Sequence, residues 1–211
     1  MRSFLKNSAA VVLSLIIAFS FLAVSYAAEN ELKFGADGKF RIMHVTDTHL
    51  EQSNLAASVW AIGRACDIEK PDLVVLTGDN THPNEDPEKT KKLINALMNI
   101  FESRKIPVAV TFGNHDSEGG PMTREDIMEY YQTFSCVIST DNSENFKNCA
   151  TFNVPVLASD SDKVNFNLWV FDSGDYDEDE PRHYDRVRTE QIEWYKKTSA
   201  KLKKERSRVL F

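Results

Sequence analysis

The sequence predicts an α/β fold built on a parallel sheet, and three patterns lead to that prediction. Between residues 40 and 111, short apolar segments alternate with longer segments whose apolar residues recur at helical spacing. Each apolar segment runs into a loop that carries polar side chains. Two later segments alternate apolar and polar residues, which is typical of antiparallel strands. Alternation of strands and helices implies parallel strands joined by right-handed crossovers.

The first five elements are predicted in the order strand, helix, strand, helix, strand. The middle strand, Leu73–Leu76, is continuously apolar, as expected of a strand that is buried on both faces. His44 lies within the first strand, and we expect it to be a hydrogen-bonded core residue. The predicted elements span, in order, residues 40–45, 56–68, 73–76, 87–101 and 106–111.

The second part of the chain is predicted to add a helix, two antiparallel strands and another helix. Thr123 has the side chain of an N-cap at the start of the first of these helices. The acidic run Asp175–Glu180 is expected to be a solvated loop. A further strand is predicted to begin at Arg208. The four complete elements span residues 123–134, 150–156, 164–171 and 189–204.

The first residues have the pattern of an export signal. Arg2 and Lys6 precede the apolar stretch Ala9–Val24, and Ser25–Ala27 offers small residues at the two positions that a signal peptidase reads. We therefore expect residues 1–27 to be a signal peptide and the protein to be secreted, periplasmic or extracellular. No stable membrane insertion is expected after cleavage, and an uncleaved anchor is the alternative.

The composition narrows the range of functions that the protein can have. The chain has 211 residues, 42% of them apolar, and a formal net charge of −7. An acidic balance argues against a protein that binds nucleic acid through bulk electrostatics. In an exported protein, Cys136 and Cys149 could close a short disulfide loop, whereas Cys66 falls in a helical pattern and is expected to be a buried thiol.

Three polar loops follow the three strands of the predicted parallel sheet. They are Asp47-Thr-His49, Gly78-Asp-Asn80 and Gly113-Asn-His-Asp116. Each loop is separated from the next by roughly one crossover unit, and the carboxyl ends of parallel strands meet at one edge of a sheet. Each loop alone is a weak or moderate signal, but the three in this order predict a single site.

The residue types in these loops suit a pair of metal ions. Asp47 and His49 can point toward one cation, and the two oxygens of Asp79 can bridge two cations. Asn114 can bind the second cation without adding negative charge. Paired metals clamp a phosphoryl group and activate a water for in-line attack.

The last two residues of the third loop suit catalysis. His115 could stabilise the transferring oxygens or protonate the leaving alkoxide. Asp116 could orient His115, or it could cap the turn that follows. The residues alone leave both roles of Asp116 open.

These loops resemble the first three motif blocks of the calcineurin-like metallophosphoesterase superfamily. Asp172–Gly174 and Gln191–Tyr195 are similar to the branch related to purple acid phosphatases. The resemblance implies an αββα sandwich over residues 38–211 that is incomplete at the C-terminus. It also implies a hydrolase that acts on small phosphorylated substrates, phosphomonoesters above all, through two Fe, Mn or Zn ions. The implied metal ligands are Asp47, His49, Asp79 and Asn114, and the implied catalytic residue is His115.

The chain departs from the family pattern in two ways. The family completes its site with downstream G-H and G-H-x-H blocks, but this chain has five histidines and none follows His183. We therefore interpret it as the N-terminal portion of a longer enzyme, which by itself would bind metal weakly. Purple acid phosphatases carry a tyrosine three places after the bridging aspartate, where this chain has His82, which is expected to be solvated. Two alternatives remain: a binding module that does not hydrolyse its ligand, or a phosphodiesterase or nucleotidase of the same family.

Overall fold

A computed structural model describes residues 31–82, 85–142, 145–177, 179–180 and 182–207. The predicted signal peptide and the strand predicted at the end of the chain lie outside these ranges. The chain divides into two units between Glu31 and Leu32, and the fold that follows is that of the second unit.

The parallel sheet forms as the sequence predicts. Its strands are β1 (Ile42–Val45), β2 (Leu73–Leu76) and β3 (Val108–Val110), in the spatial order β1-β2-β3 with both pairs parallel. Helices α1 (Leu55–Glu69) and α2 (Pro87–Glu102) provide the two crossovers. The three strand ends therefore lie side by side at one edge.

The helices cover one face of this sheet. A third helix, α3 (Arg124–Tyr131), starts from a capping box in which Thr123 and Asp126 each accept a backbone N–H of the other, which confirms the predicted N-cap. Side chains from α1, α2, α3 and the sheet form one buried cluster. Its largest fully buried members are Leu50, Leu76, Ile94, Leu97, Met98, Phe101, Ile127, Met128 and Tyr131.

Both faces of β2 are buried, which explains its continuous apolar sequence. Val74 and Leu76 belong to the cluster beneath the helices. Leu73 and Val75 belong to a second cluster on the opposite face. Successive side chains of a strand point to opposite faces, so a strand between two layers needs apolar residues at every position.

The second cluster lies between the parallel sheet and an antiparallel pair. The pair consists of β4 (Phe152–Leu157) and β5 (Val164–Val170). Helix α4 (Thr189–Ser207) contacts the other side of this pair, where the Trp169 ring lies 5.4 Å from that of Trp194, measured between centroids. The layers are therefore helix, sheet, sheet and helix, which confirms the predicted α/β sandwich.

The structure corrects the expectation for His44. β1 is an edge strand, and both Ile42 and His44 are exposed. His44 is satisfied through a hydrogen bond of 2.6 Å between Nε2 and Oγ1 of Thr77, but it is not a core residue. In a three-stranded sheet only the central strand has a neighbour on each side, and the periodicity of a short segment does not reveal its place in the order.

The three cysteines are buried free thiols, so the disulfide considered for Cys136 and Cys149 is absent. Burial raises the pKa of the Cys136 and Cys149 thiols, and it raises the pKa of the Cys66 thiol as well. In the described part of the chain, no helix combines the length and the apolar character needed to cross a membrane.

Candidate metal centre

The loops that follow β1 and β2 are joined by backbone hydrogen bonds. The N–H of Asp47 donates to the carbonyl oxygen of Gly78 at 3.1 Å, and the N–H of His49 donates to that of Asp79 at 2.8 Å. These bonds continue the ladder of the parallel sheet beyond the strands. The first two predicted loops are therefore fixed relative to each other by main chain, before any side chain is considered.

The loops that follow β2 and β3 approach so closely that two glycines are required. A Cβ at Gly78, where φ is +111°, would lie 2.0 Å from the backbone nitrogen of Gly113. A Cβ at Gly113 would lie 2.2 Å from Oδ1 of Asp79. Only glycine fits such a contact, and this explains why both motifs begin with that residue.

Asp47, His49 and Asp79 converge as the sequence predicts. Each offers one ligand atom, and these atoms all lie within 4.8 Å of one another. Nε2 of His49 is 3.8 Å from Oδ1 of Asp47 and 3.8 Å from Oδ2 of Asp79. The side chain of Asp79 is 13% exposed and that of Asp47 is 63% exposed, so Asp79 lies deeper.

These three residues also have strained backbones. Their φ angles are 52° for Asp47, 40° for His49 and 50° for Asp79, all in the left-handed region. Such angles cost about 1–3 kcal/mol each in non-glycine residues and cluster at functional sites. The other described non-glycine residues with positive φ are Lys70 and Lys105, which lie in the turns after α1 and α2.

Asn114 is placed beside this group by its neighbours in the chain. The N–H of His115 donates to Oδ1 of Asp79 at 2.9 Å, and Gly113 abuts the same carboxylate. Nδ2 of Asn114 and Nδ1 of His49 are buried without a hydrogen-bond partner among the described residues. Carboxylate, imidazole and amide groups together suit Fe, Mn or Zn, so the donors present fit a metal ion.

The carboxylate of Asp116 binds backbone, not His115. Its oxygens accept N–H bonds from Asp79 (2.8 Å), Asn80 (2.9 Å) and Gly113 (2.8 Å), and the side chain is 1% exposed. Burial raises the pKa of Asp116 to about 6, while these hydrogen bonds act in the opposite direction. The role of orienting His115 is therefore corrected: Asp116 fastens the loop after β3 to the loop after β2.

His115 belongs to a group of three imidazoles at the same edge of the sheet. Its ring centroid is 5.3 Å from that of His49 and 5.7 Å from that of His82. The rings of His49 and His82 are 5.5 Å apart. His82 is exposed, as expected, but its ring also faces the two histidines of the neighbouring loops. His183 is exposed and pairs with Glu180 at 2.7 Å.

The motif residues that follow β5 have structural roles. Asp172 is fully buried and accepts a hydrogen bond of 2.7 Å from the guanidinium of Arg124. Arg124 also donates to the carbonyl oxygen of Gly113 at 2.8 Å. Gln191 is buried and donates to Oγ1 of Thr151 and to the carbonyl oxygen of Asp172. Arg124 thus ties the loop after β3 to the second sheet.

Two residues beside the centre were not singled out from the sequence. Glu118 hydrogen-bonds the imidazole of His115, and Tyr176 hydrogen-bonds Glu118. The spacing of three residues between His115 and Glu118 was the available signal for the first contact. No local sequence pattern indicates the contact between Tyr176 and Glu118, since Tyr176 lies in the acidic run that was expected to be solvated.

The protein has a helix–sheet–sheet–helix architecture, and carboxylate, imidazole and amide groups gather at the carboxyl edge of its parallel strands. These features define an α/β protein with a candidate metal site. The calcineurin-like phosphoesterase family model matches residues 40–210, and the chain belongs to that family. This finding confirms the family that the three loops indicated.

Several relatives connect the chain to purple acid phosphatases. It is 31% identical over 205 residues to "Probable inactive purple acid phosphatase 29" of Arabidopsis thaliana, covering 85% of this chain and 52% of that protein. It is 29% identical over 210 residues to "Probable inactive purple acid phosphatase 14" of the same plant, covering 86% and 52%. It is 32% identical over 108 residues to "Phosphatase DCR2" of Saccharomyces cerevisiae, covering 44% and 18%. The chain spans about half the length of the two plant relatives.

Proposed function

We propose that this protein is an exported, metal-dependent hydrolase of phosphate esters, with small phosphomonoesters as its main substrates. The observation that supports this function best is the convergence of Asp47, His49 and Asp79 within 4.8 Å at the carboxyl edge of the parallel sheet. Export is inferred from the leader pattern in residues 1–27. N-terminal sequencing of the exported protein should find Ala28 first, and an intact leader would contradict this part of the proposal.

Each candidate residue has a distinct role in this proposal. Asp47 and His49 would hold one metal ion, Asp79 would serve both, and Asn114 would offer a neutral oxygen to the second. When bound, paired Fe, Mn or Zn ions would supply the positive charge that clamps a phosphoryl group and activates water. His115 donates a proton to the departing oxygen. Asp116 keeps Asp79 and Gly113 in register by binding their backbone N–H groups.

Replacing Asp79 with alanine tests the shared ligand. Mutation of a residue that only hydrogen-bonds a metal ligand changes metal affinity about 10–100-fold. Loss of a carboxylate that itself binds the metal should therefore weaken Mn²⁺ or Zn²⁺ binding by more than that. Isothermal titration of the 211-residue chain measures this affinity, and turnover of an aryl phosphate by the full-length protein measures activity. The exposed residue Asp160 gives the matched control Asp160→Ala. Unchanged affinity and turnover in Asp79→Ala would refute the assignment.

A second candidate function is binding of a phosphorylated ligand without hydrolysis. It is favoured by two plant relatives whose names include the word "inactive". Metal-dependent binding of inorganic phosphate, with no turnover of monoesters or diesters by the full-length protein, would establish this alternative over hydrolysis.

A further inference from the structure

The carboxylate of Glu118 is held from two sides. Oε2 forms a hydrogen bond with Nδ1 of His115, three residues earlier. Oε1 accepts a hydrogen bond of 2.6 Å from the hydroxyl of Tyr176. One carboxylate therefore connects the loop after β3 with the segment after β5, where Tyr176 lies.

Tyr176 is itself fixed in place. It forms an isolated antiparallel bridge with Tyr184, and the two rings stack with centroids 5.5 Å apart. The hydrogen bond to Glu118 is the main cause that raises the pKa of the Tyr176 phenol. The phenol is thus held by Tyr184 and Glu118.

The hydrogen-bond partners of Glu118 determine which nitrogen of the His115 imidazole carries the proton shared with it. The hydrogen bond from Tyr176 is the main cause that lowers the pKa of Glu118, and His115 contributes in the same direction. An ionised carboxylate can only accept hydrogen bonds. Nδ1 of His115 therefore carries the proton that is shared with Glu118, and Nε2 is the ring nitrogen left for another partner.

We propose that Glu118 is the positioning residue of the candidate site: it holds the imidazole of His115 by Nδ1 and so fixes the direction of Nε2. The proposal rests on the hydrolysis proposed above. In that reaction the bond between phosphorus and the leaving oxygen breaks, and a His115 ring protonated on both nitrogens would pass the proton on Nε2 to that oxygen. The water that attacks phosphorus releases a proton, which restores the one lost by His115. Glu118 exchanges no proton in either step.

A second histidine–glutamate pair shows what an ordinary surface contact looks like in this protein. Glu180 and His183 have the same spacing of three residues, but their side chains are 68% and 71% exposed. The side chains of Glu118 and His115 are 39% and 33% exposed, and Glu118 has Tyr176 as a further partner. The Glu180 pair therefore provides a matched control.

Long-range ¹H–¹⁵N NMR of the imidazoles tests the contact without any need for activity. In the 211-residue chain without added metal, His115 should be protonated at Nδ1 and show a downfield N–H proton, assigned by its absence in His115→Asn. Glu118→Ala should abolish this signal and shift the ring toward the tautomer protonated at Nε2. Glu180→Ala should leave it unchanged. An unchanged His115 spectrum in Glu118→Ala would overturn the proposal.

The leaving group separates positioning from a general loss of structure. In the full-length protein with metal, Glu118→Ala should lower kcat for an alkyl phosphate about 10–100-fold, because general acid catalysis matters most for a poor leaving group. For p-nitrophenyl phosphate, which needs no proton to depart, kcat should fall less than about threefold, with KM unchanged for both esters. Equal losses on the two esters would overturn the proposal. If the wild type turns over neither ester, hydrolysis is refuted, and the NMR result alone decides the role of Glu118.

Discussion

Replacing Asp116 with alanine tests whether this residue fastens together the loops that follow β2 and β3. The carboxylate accepts three backbone hydrogen bonds of 2.8–2.9 Å, from Asp79, Asn80 and Gly113, in a place where the side chain is 1% exposed. A buried N–H without a partner costs about 1–3 kcal/mol. Loss of these three bonds should therefore lower the free energy of unfolding by about 3 kcal/mol, because removal of the carboxylate also relieves the desolvation that raises its pKa. The measurement should be made at about pH 8, where the Asp116 carboxyl, with a pKa of about 6, is ionised.

Urea unfolding, followed by tryptophan fluorescence, measures this loss. The control is Asp160→Ala, which removes an exposed carboxylate and should change the free energy of unfolding by less than about 0.5 kcal/mol. A loss below about 1 kcal/mol for Asp116→Ala, with the control unaffected, would refute the reasoning. The same variant should also weaken metal binding, although Asp116 offers no ligand atom, because the position of Asp79 depends on it.

Two further substitutions test contacts between the loops and the layers. Gly78→Ala should prevent the native fold, because the new Cβ would lie 2.0 Å from a backbone nitrogen. Gly119→Ala, with open space around it, should lower the free energy of unfolding by only about 1 kcal/mol. Circular dichroism and urea unfolding distinguish these outcomes. Asp172→Ala should lower the free energy of unfolding by about 3–5 kcal/mol, because it leaves the Arg124 guanidinium buried and unpaired. The control Asp162→Ala breaks an exposed pair with its lysine partner and should cost about 1 kcal/mol or less in the same assay. Equal effects within either pair would contradict these expectations.

The elements of the fold could be predicted because each has a local signature. The continuous apolar run of β2 and the amphipathic pattern of α2 both follow from the layers that cover them. The capping side chain of Thr123 set the start of α3 correctly. The exposure of β1 could not be predicted, because the place of a strand within a sheet is a property of the whole arrangement. β3 is shorter than its apolar pattern, at Val108–Val110.

Only the site residues that directly follow the parallel strands could be predicted from the sequence. Asp47, His49 and Asp79 follow consecutive parallel strands, and topology alone brings such residues to one edge. The function of Asp116 was not predictable, since its partners are backbone N–H groups that no sequence pattern marks. The contact between Glu118 and Tyr176 joins residues 58 positions apart, and it exists only because the second sheet packs on the first.

The four candidate ligands Asp47, His49, Asp79 and Asn114 lie in the loops that follow the strands of the first sheet. A ribosome therefore delivers all of these donors before it has made β4, β5 or α4. Arg124 emerges after them, and its partner Asp172 follows 48 residues later. The order of synthesis thus places these four residues before the ion pair that secures their loops against the second sheet, so a nascent chain stalled before Asp172 already contains Asp47, His49, Asp79 and Asn114.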